Sequence, residues 1–170
     1  MYYSITFFGP TTVTVPESIW LNDPDYPAGS IREVNANTWD DWHLIPSSRP
    51  TIAHPAIETN YQDVLGKDGI QDVTEYVPGE VVWGDRTGTL EFLVANDYED
   101  WKKIREKIIY NIHGKSLKMK LEEQPEYYYE GFFQFNDWRS EAQFSKVAID
   151  YTLQPYKKLV SDDSIVTDDL

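Results

Sequence analysis

No cysteine occurs among the 170 residues, which rules out disulfides and thiolate metal sites and leaves stability to packing, hydrogen bonding or association. No apolar run approaches the ~20 residues needed to cross a bilayer, and the opening MYYSITFFGP lacks the positive start and cleavage site of a signal peptide. A soluble chain not exported by that route is expected. Basic residues are scarce: 15 Lys and Arg stand against 29 Asp and Glu, a formal net charge of −14. Within residues 1–85 the imbalance is 13 acids to three bases. A nucleic-acid groove needs clustered cations, so this charge argues against one. The GxGxxG, GxxxxGK[ST] and GxSxG patterns are also missing, which leaves nucleotide chemistry and an elbow serine without support.

What the chain has in quantity is aromatic residues, with 12 Tyr, 7 Phe and 6 Trp. Its length suits one domain that removes roughly 70% of the unfolded surface from water. So many rings are hard to bury in one small core, and some are expected to face partners.

Periodicity predicts a mostly extended chain. Tyr2 to Val15 is β-branched and aromatic but broken at Gly9-Pro10, which suggests two short strands around a turn. Residues 16–38 are rich in turn signals and read as a long irregular excursion. Thr51 to Val64 is extended, and Pro50 and Pro55 push it to an edge or a subunit boundary. IQDVTEYV, between the turns at 66–69 and 78–79, reads as a strand. In VVWGDRTGTLEFLVAN, Leu90, Phe92 and Val94 share the core-facing side.

One helix is predicted over 98–113. Asp97 caps it, Gly114 ends it, and Trp101, Ile104, Ile108 and Ile112 form its apolar stripe. SLKMKLEE, EYYYEGFFQFNDW and FSKVAIDYTLQPY then form a three-stranded antiparallel meander. In its middle strand Tyr127, Tyr129, Phe133 and Phe135 are assigned to the core, and Tyr128, Phe132 and Trp138 to the exposed or interface side. The class read from these elements is mainly β with one helix (α+β), the helix lying on a sheet of antiparallel strands. Residues 1–160 make one domain and the acidic 161–170 a flexible tail.

The stretch NTWDDWHLIPSSRP, residues 37–50, carries the densest set of reactive-looking groups. His43 lies beside Asp40 and Asp41, but a turn or a short cap explains those acids equally well. His43, His54 and His113 share no HxH or HExxH spacing, so neither a metal site nor a cofactor is predicted, and no catalytic residue is assigned. Trp39, Trp42, Trp83, Trp138 and Tyr127-Tyr128-Tyr129 offer an alternative, an aromatic-rich carbohydrate-binding module.

The segments taken in order, NTWDDWHLIPSSRP, PAIETNYQDV, GKDGIQDVT, GDRTGTLEFLVAN, YEDWKKIREKIIYNIHGK, EEQPEYYYEGFFQFNDW and FSKVAIDYTLQPYK, resemble the distal tail proteins of long-tailed, siphovirus-type bacteriophages. The resemblance covers about residues 30–158. It implies a non-enzymatic virion protein at the distal tail end, assembled in the host cytoplasm. Its tail-tube-like domain, a β-sandwich of antiparallel strands with a single α-helix packed on it, would form a hexameric ring that joins the tail tube protein to the baseplate, tail-tip hub or tail-associated lysin and leaves a channel for DNA. Two departures stand out: the second, galectin-like domain of many relatives is not expected here, and Leu65 precedes Gly66 where relatives often have proline. Interface candidates are Trp39, Trp42, Ile45, Arg49, Asp68, Tyr76, Trp83 and Trp138. Channel-lining acids are sought at Asp63, Asp68, Asp72 and Glu75, because an acidic wall would not hold passing phosphates.

Overall fold

The computed structural model describes residues 3–15, 29–58, 61–63, 70–72, 82–94, 101–140 and 145–167. Its elements in chain order are β1 (Ile5–Thr14), β2 (Ile31–Asn37), β3 (Leu44–Pro46), β4 (Tyr61–Asp63), β5 (Ile70–Asp72), β6 (Arg86–Val94), α1 (Trp101–Ile112), β7 (Lys115–Leu121), β8 (Tyr127–Ser140), β9 (Ser145–Leu153), β10 (Lys157–Leu159) and β11 (Ile165–Val166). Every strand pairing is antiparallel, and seven strands form one path, β2-β1-β7-β8-β9-β6-β3. The predicted class, mainly β with one helix, holds.

A flat sheet of this order would put β2 and β3 about 29 Å apart, six steps of roughly 4.8 Å. The structure forbids that, because residues 38–43 join the two edges directly. Thr38 N–H donates to the Ile5 carbonyl at 2.9 Å, and Thr38 C=O accepts the Leu44 N–H at 2.8 Å. Its hydroxyl accepts the Ile5 N–H at 3.0 Å. The sheet must therefore fold over until its edges meet at Thr38. β8 makes the fold possible by serving two layers: residues 129–133 pair with β7, and residues 131–140 pair with β9. Its register shifts between Phe135 and Asp137, and such a bulge bends a strand that passes between layers.

Alternation supplies one core from both layers. Ile5, Phe7, Leu117, Met119, Leu90, Phe92, Ile149 and Leu153 are all buried in a single cluster, joined by Ile104, Ile108 and Ile112 of α1. Phe7 meets Phe133 edge-on, with ring centroids 5.0 Å apart. Helix α1 extends this cover toward the far edge, where Arg32 of β2 donates to Tyr110 Oη at 3.2 Å and Asn111 Oδ1 at 3.0 Å. Gly114, at φ 71°, turns the chain out of α1 into β7, the conformation glycine adopts most readily.

Four expectations change. Ile5–Thr14 is one strand, not two, because the register shift around Gly9-Pro10 leaves β2 paired on both sides of it and β7 paired through Pro10. Residues 31–37 are not irregular: Val34 and Ala36 face the core while Ile31, Glu33 and Asn35 face out, the pattern of an edge strand. Tyr128 is buried, because Phe8 stands edge-on to its ring, Lys118 lies over it and Asp163, between β10 and β11, takes its hydroxyl. Trp138 is half-buried against the core, because the bulge shifts the alternation of β8 by one residue. The helix 98–113 is present as Trp101–Ile112, while its cap Asp97 lies outside the described residues.

The acidic end, expected to be loose over 161–170, is held at least to Val166 by the β10–β11 pairing. Tyr128 Oη donates to Asp163 Oδ1 at 2.7 Å, and Lys158 Nζ lies 3.2 Å from Glu130 Oε2. Burial, and then the Asp163 carboxylate, push the Tyr128 hydroxyl pKa well above its ordinary value.

Two measurements test this account. Replacing Thr38 by Val strands the buried Ile5 N–H and should lower unfolding free energy by roughly 1–3 kcal/mol in denaturant titrations, whereas Thr38→Ser should recover most of it. Because Tyr128 ionises later when folded than when unfolded, its contribution is complete below pH about 10 and fades as pH rises through the higher folded value. Stability measured from pH 9 upward should therefore fall less steeply in Tyr128→Phe.

Candidate functional site

The dense stretch 37–50 is a turn built from its own polar side chains. Asn37 Oδ1 accepts the N–H groups of Trp39 and Asp40, each at 3.0 Å. The Asp41 carboxylate reaches back to the Asn37 N–H at 2.6 Å. His43 N–H donates to the Trp39 carbonyl at 2.9 Å, which completes the turn. His43 adopts φ 53° and stands edge-on to Trp39, with centroids 5.3 Å apart. The Asp41 carboxylate thus shapes the backbone, and Asp40 enters the turn through its N–H. Among the described residues no group of three or more His, Asp or Glu is placed to hold a metal ion.

The predicted interface residues part company. Trp42 is only 1% exposed and packs on Phe7 at 6.3 Å between centroids. It is a core residue, drawn inward because the turn must fill the gap between the meeting edges. Trp39 is half-buried on the outer side of the same turn, and Ile45 is half-buried in the edge strand β3. Arg49 is exposed and pairs with Glu123 at 2.7 Å, tying the exit of β3 to the β7–β8 turn. Tyr3 Oη lies 3.5 Å from the same carboxylate, and burial together with Glu123 pushes its pKa up to about 12.

Trp83 is half-buried and forms an isolated antiparallel bridge with Ile57. Glu58 N–H donates to Val82 C=O at 2.9 Å, and Gly84 N–H donates to Ala56 C=O at 2.6 Å. These bonds make a two-stranded root for the excursion between β3 and β6, and Ile57 (50% exposed) and Val82 (38% exposed) lie bare on it. Farther out β4 pairs with β5, bringing Asp72 opposite Tyr61 and Asp63 opposite Ile70. Asp63 and Asp72 therefore share one short hairpin. Asp68, Glu75 and Tyr76 lie outside the described residues.

A groove of about 430 Å³ on the solvent face of β6, β9 and β8 was not foreseen. Glu91 and Asp137 flank the small Ala148, since both are its ladder partners. On one side Thr89 Oγ1 donates to Asp150 Oδ1 at 2.6 Å, and Asn136 Nδ2 donates to both oxygens of that carboxylate. On the other, Arg139 pairs with Asp137 at 2.8 Å. The groove offers hydrogen bonds and charge of both signs, with no histidine in its lining. The bulge in β8 lies at its wall, beside Asn136 and Asp137, and sequence alternation does not reveal a bulge. Of the rings considered for carbohydrate, Trp42, Tyr128 and Tyr129 are buried and Trp39, Trp83, Tyr127 and Trp138 are half-buried, so none presents a fully exposed stacking face.

No family model matches the chain, and no curated protein matches it. Among solved structures its fold is similar to that of Dit from phage SPP1, described as a paradigm of the hub adsorption apparatus in phages that infect Gram-positive bacteria. The TM-score is 0.50 at 17% identity, over 68% of this chain and 46% of that one. The chain thus spans less than half the length of that protein, and the likeness is one of fold.

The two tryptophans of the turn should separate cleanly in thermal or denaturant unfolding. Trp42→Ala should cost roughly 3–5 kcal/mol, as for a fully packed core aromatic. Trp39→Ala should cost about 1 kcal/mol, the scale of one edge-on ring contact.

Proposed function

We propose that this chain is a structural subunit of a phage tail, forming a hexameric ring at its distal end that joins the tail tube to the baseplate or tail-tip hub. The observation that carries the reading is that this chain's folded antiparallel sheet with its one helix is similar in fold to SPP1 Dit. It agrees with the order of sequence segments that resembles the distal tail family.

Two physical features support assembly. An isolated two-stranded ribbon is marginal in water, yet the excursion leaves the sheet as such a ribbon with Ile57 and Val82 exposed at its root. Contact with a neighbouring subunit would cover them. The outer edges of β2 and β3 carry no further strand among the described residues, and a closed ring is one way to satisfy such edges. In this reading Trp39, Ile45, Arg49 and Trp83 serve subunit or partner contacts, together with Asp68 and Tyr76, whereas Trp42 serves the core. The acids of the excursion, Asp63, Asp68, Asp72 and Glu75, remain the proposed channel-facing set. The role asks for no cofactor, no catalytic residue and no specific DNA contact.

Light scattering and negative-stain imaging at increasing protein concentration should show a ring of about six subunits. Removing residues 65–80 should weaken the ring while leaving the circular dichroism spectrum intact. A strict monomer at every concentration, alone or mixed with tail tube protein, would sink the hexamer. Undiminished assembly after the deletion would remove the excursion from the contact.

A further inference from the structure

Ala53 sits where the chain leaves β3 for the excursion, and its peptide groups are gripped from both sides. Its N–H donates to Tyr151 Oη at 3.0 Å, and its carbonyl accepts Arg86 Nη1 at 3.2 Å. Arg86 is 2% exposed, donates from Nε to the Pro155 carbonyl at 3.0 Å, and holds its guanidinium 5.4 Å from the Tyr129 ring centroid. A buried guanidinium is costly unless its donors are used, so this one is committed to carbonyl oxygens on two different segments.

Gly88 is what lets Tyr151 reach. The two are ladder partners, and a Cβ on Gly88 would overlap the Tyr151 ring and hydroxyl. With no side chain there, the ring lies across β6 and its hydroxyl arrives at Ala53 on the far side. Glycine inside a strand often marks such a close approach. The grip lies a few residues before the paired root, Ala56–Glu58 against Val82–Gly84, and Arg86 itself begins β6 where the excursion returns. One buried side chain therefore holds both the departing and the returning chain.

We propose that Arg86, Tyr151 and Gly88 form a clamp on Ala53 that fixes the direction in which the root leaves the sheet, and so sets where Ile57 and Val82 meet a second copy of the chain. The second-copy part rests on the assembly reading above, while the clamp itself does not. Arg86 and Tyr151 are positioning residues in this scheme. They act on the contact through Ala53 and do not touch the neighbour.

Amide hydrogen exchange on the full chain, together with sedimentation, tests it. Tyr151→Phe keeps the ring and its packing and removes only the hydroxyl, so it is the variant expected to fold. Exchange at the Ala53 amide should accelerate about tenfold or more, and at Glu58 and Gly84 severalfold, while ladder amides such as Ile149 stay as in the wild type. Association should weaken about tenfold with little change in Tm. Arg86→Met should do the same more strongly, and if it fails to fold, Tyr151→Phe still decides. Exchange that is unchanged at Ala53, Glu58 and Gly84, or that rises equally across the core, overturns the clamp. Faster root exchange with undiminished association overturns its positioning role. A wild-type chain that never associates sinks the assembly reading and the second-copy part with it, and the exchange pattern alone then decides the clamp.

Discussion

Thr38 directly follows the edge strand β2 and bonds both to that strand's neighbour β1 and to β3 at the opposite end of the sheet, and the rest of the architecture follows from that geometry. Its amide and hydroxyl serve Ile5, and its carbonyl serves Leu44. The edges of the sheet can converge there only if the middle bends, and β8 supplies the bend by pairing with both layers. The enclosed space must then be filled, which places Trp42 against Phe7 and draws the apolar side of α1 into the same core. A stretch that resembles a reactive site in one dimension is the joint of a folded sheet in three.

Strict alternation made β6, β7 and β9 readable from sequence, because each buries one face and a period of two then shows directly. The helix was readable for the same reason at a different period, with Ile104, Ile108 and Ile112 on one side. Where local and global signals disagreed, the sequence misled. Gly9-Pro10 announces a turn, but partners on both sides keep Ile5–Thr14 in the ladder. Ile31–Asn37 follows so many turn residues that its short alternation is lost among them. The phase error at Trp138 comes from one extra residue in β8, and the burial of Tyr128 from Phe8, Lys118 and Asp163, which lie elsewhere in the chain. Such distant pairings leave no local trace.

The same division holds for the surfaces offered for assembly. Asp41 could be assigned to turn-building from its neighbours alone. Trp42 could not be sorted from Trp39 without knowing that two edges meet at that turn. The groove beside Ala148 and the grip on Ala53 both depend on which residues stand opposite one another across strands. That information lies in the register. Only Gly88, a glycine inside a strongly alternating strand, carried a hint.

β8 belongs to both layers, and this bears on how the chain reaches its fold. Its first half pairs with β7, which pairs in turn with β1 through residues as far apart in sequence as Ile5 and Leu121, and its second half pairs with β9, which pairs in turn with β6. Neither layer can close as an independent unit and wait for the other, because each borrows the same strand. Folding of this kind is governed by non-local pairing and is slow for its size. During that interval the unpaired strands could find the same partners in another copy. The joint at residues 37–44 holds bonds of both kinds: the turn's own, such as Leu44 N–H to Thr38 C=O, can form early, whereas those between Thr38 and Ile5 wait until β1 is in place.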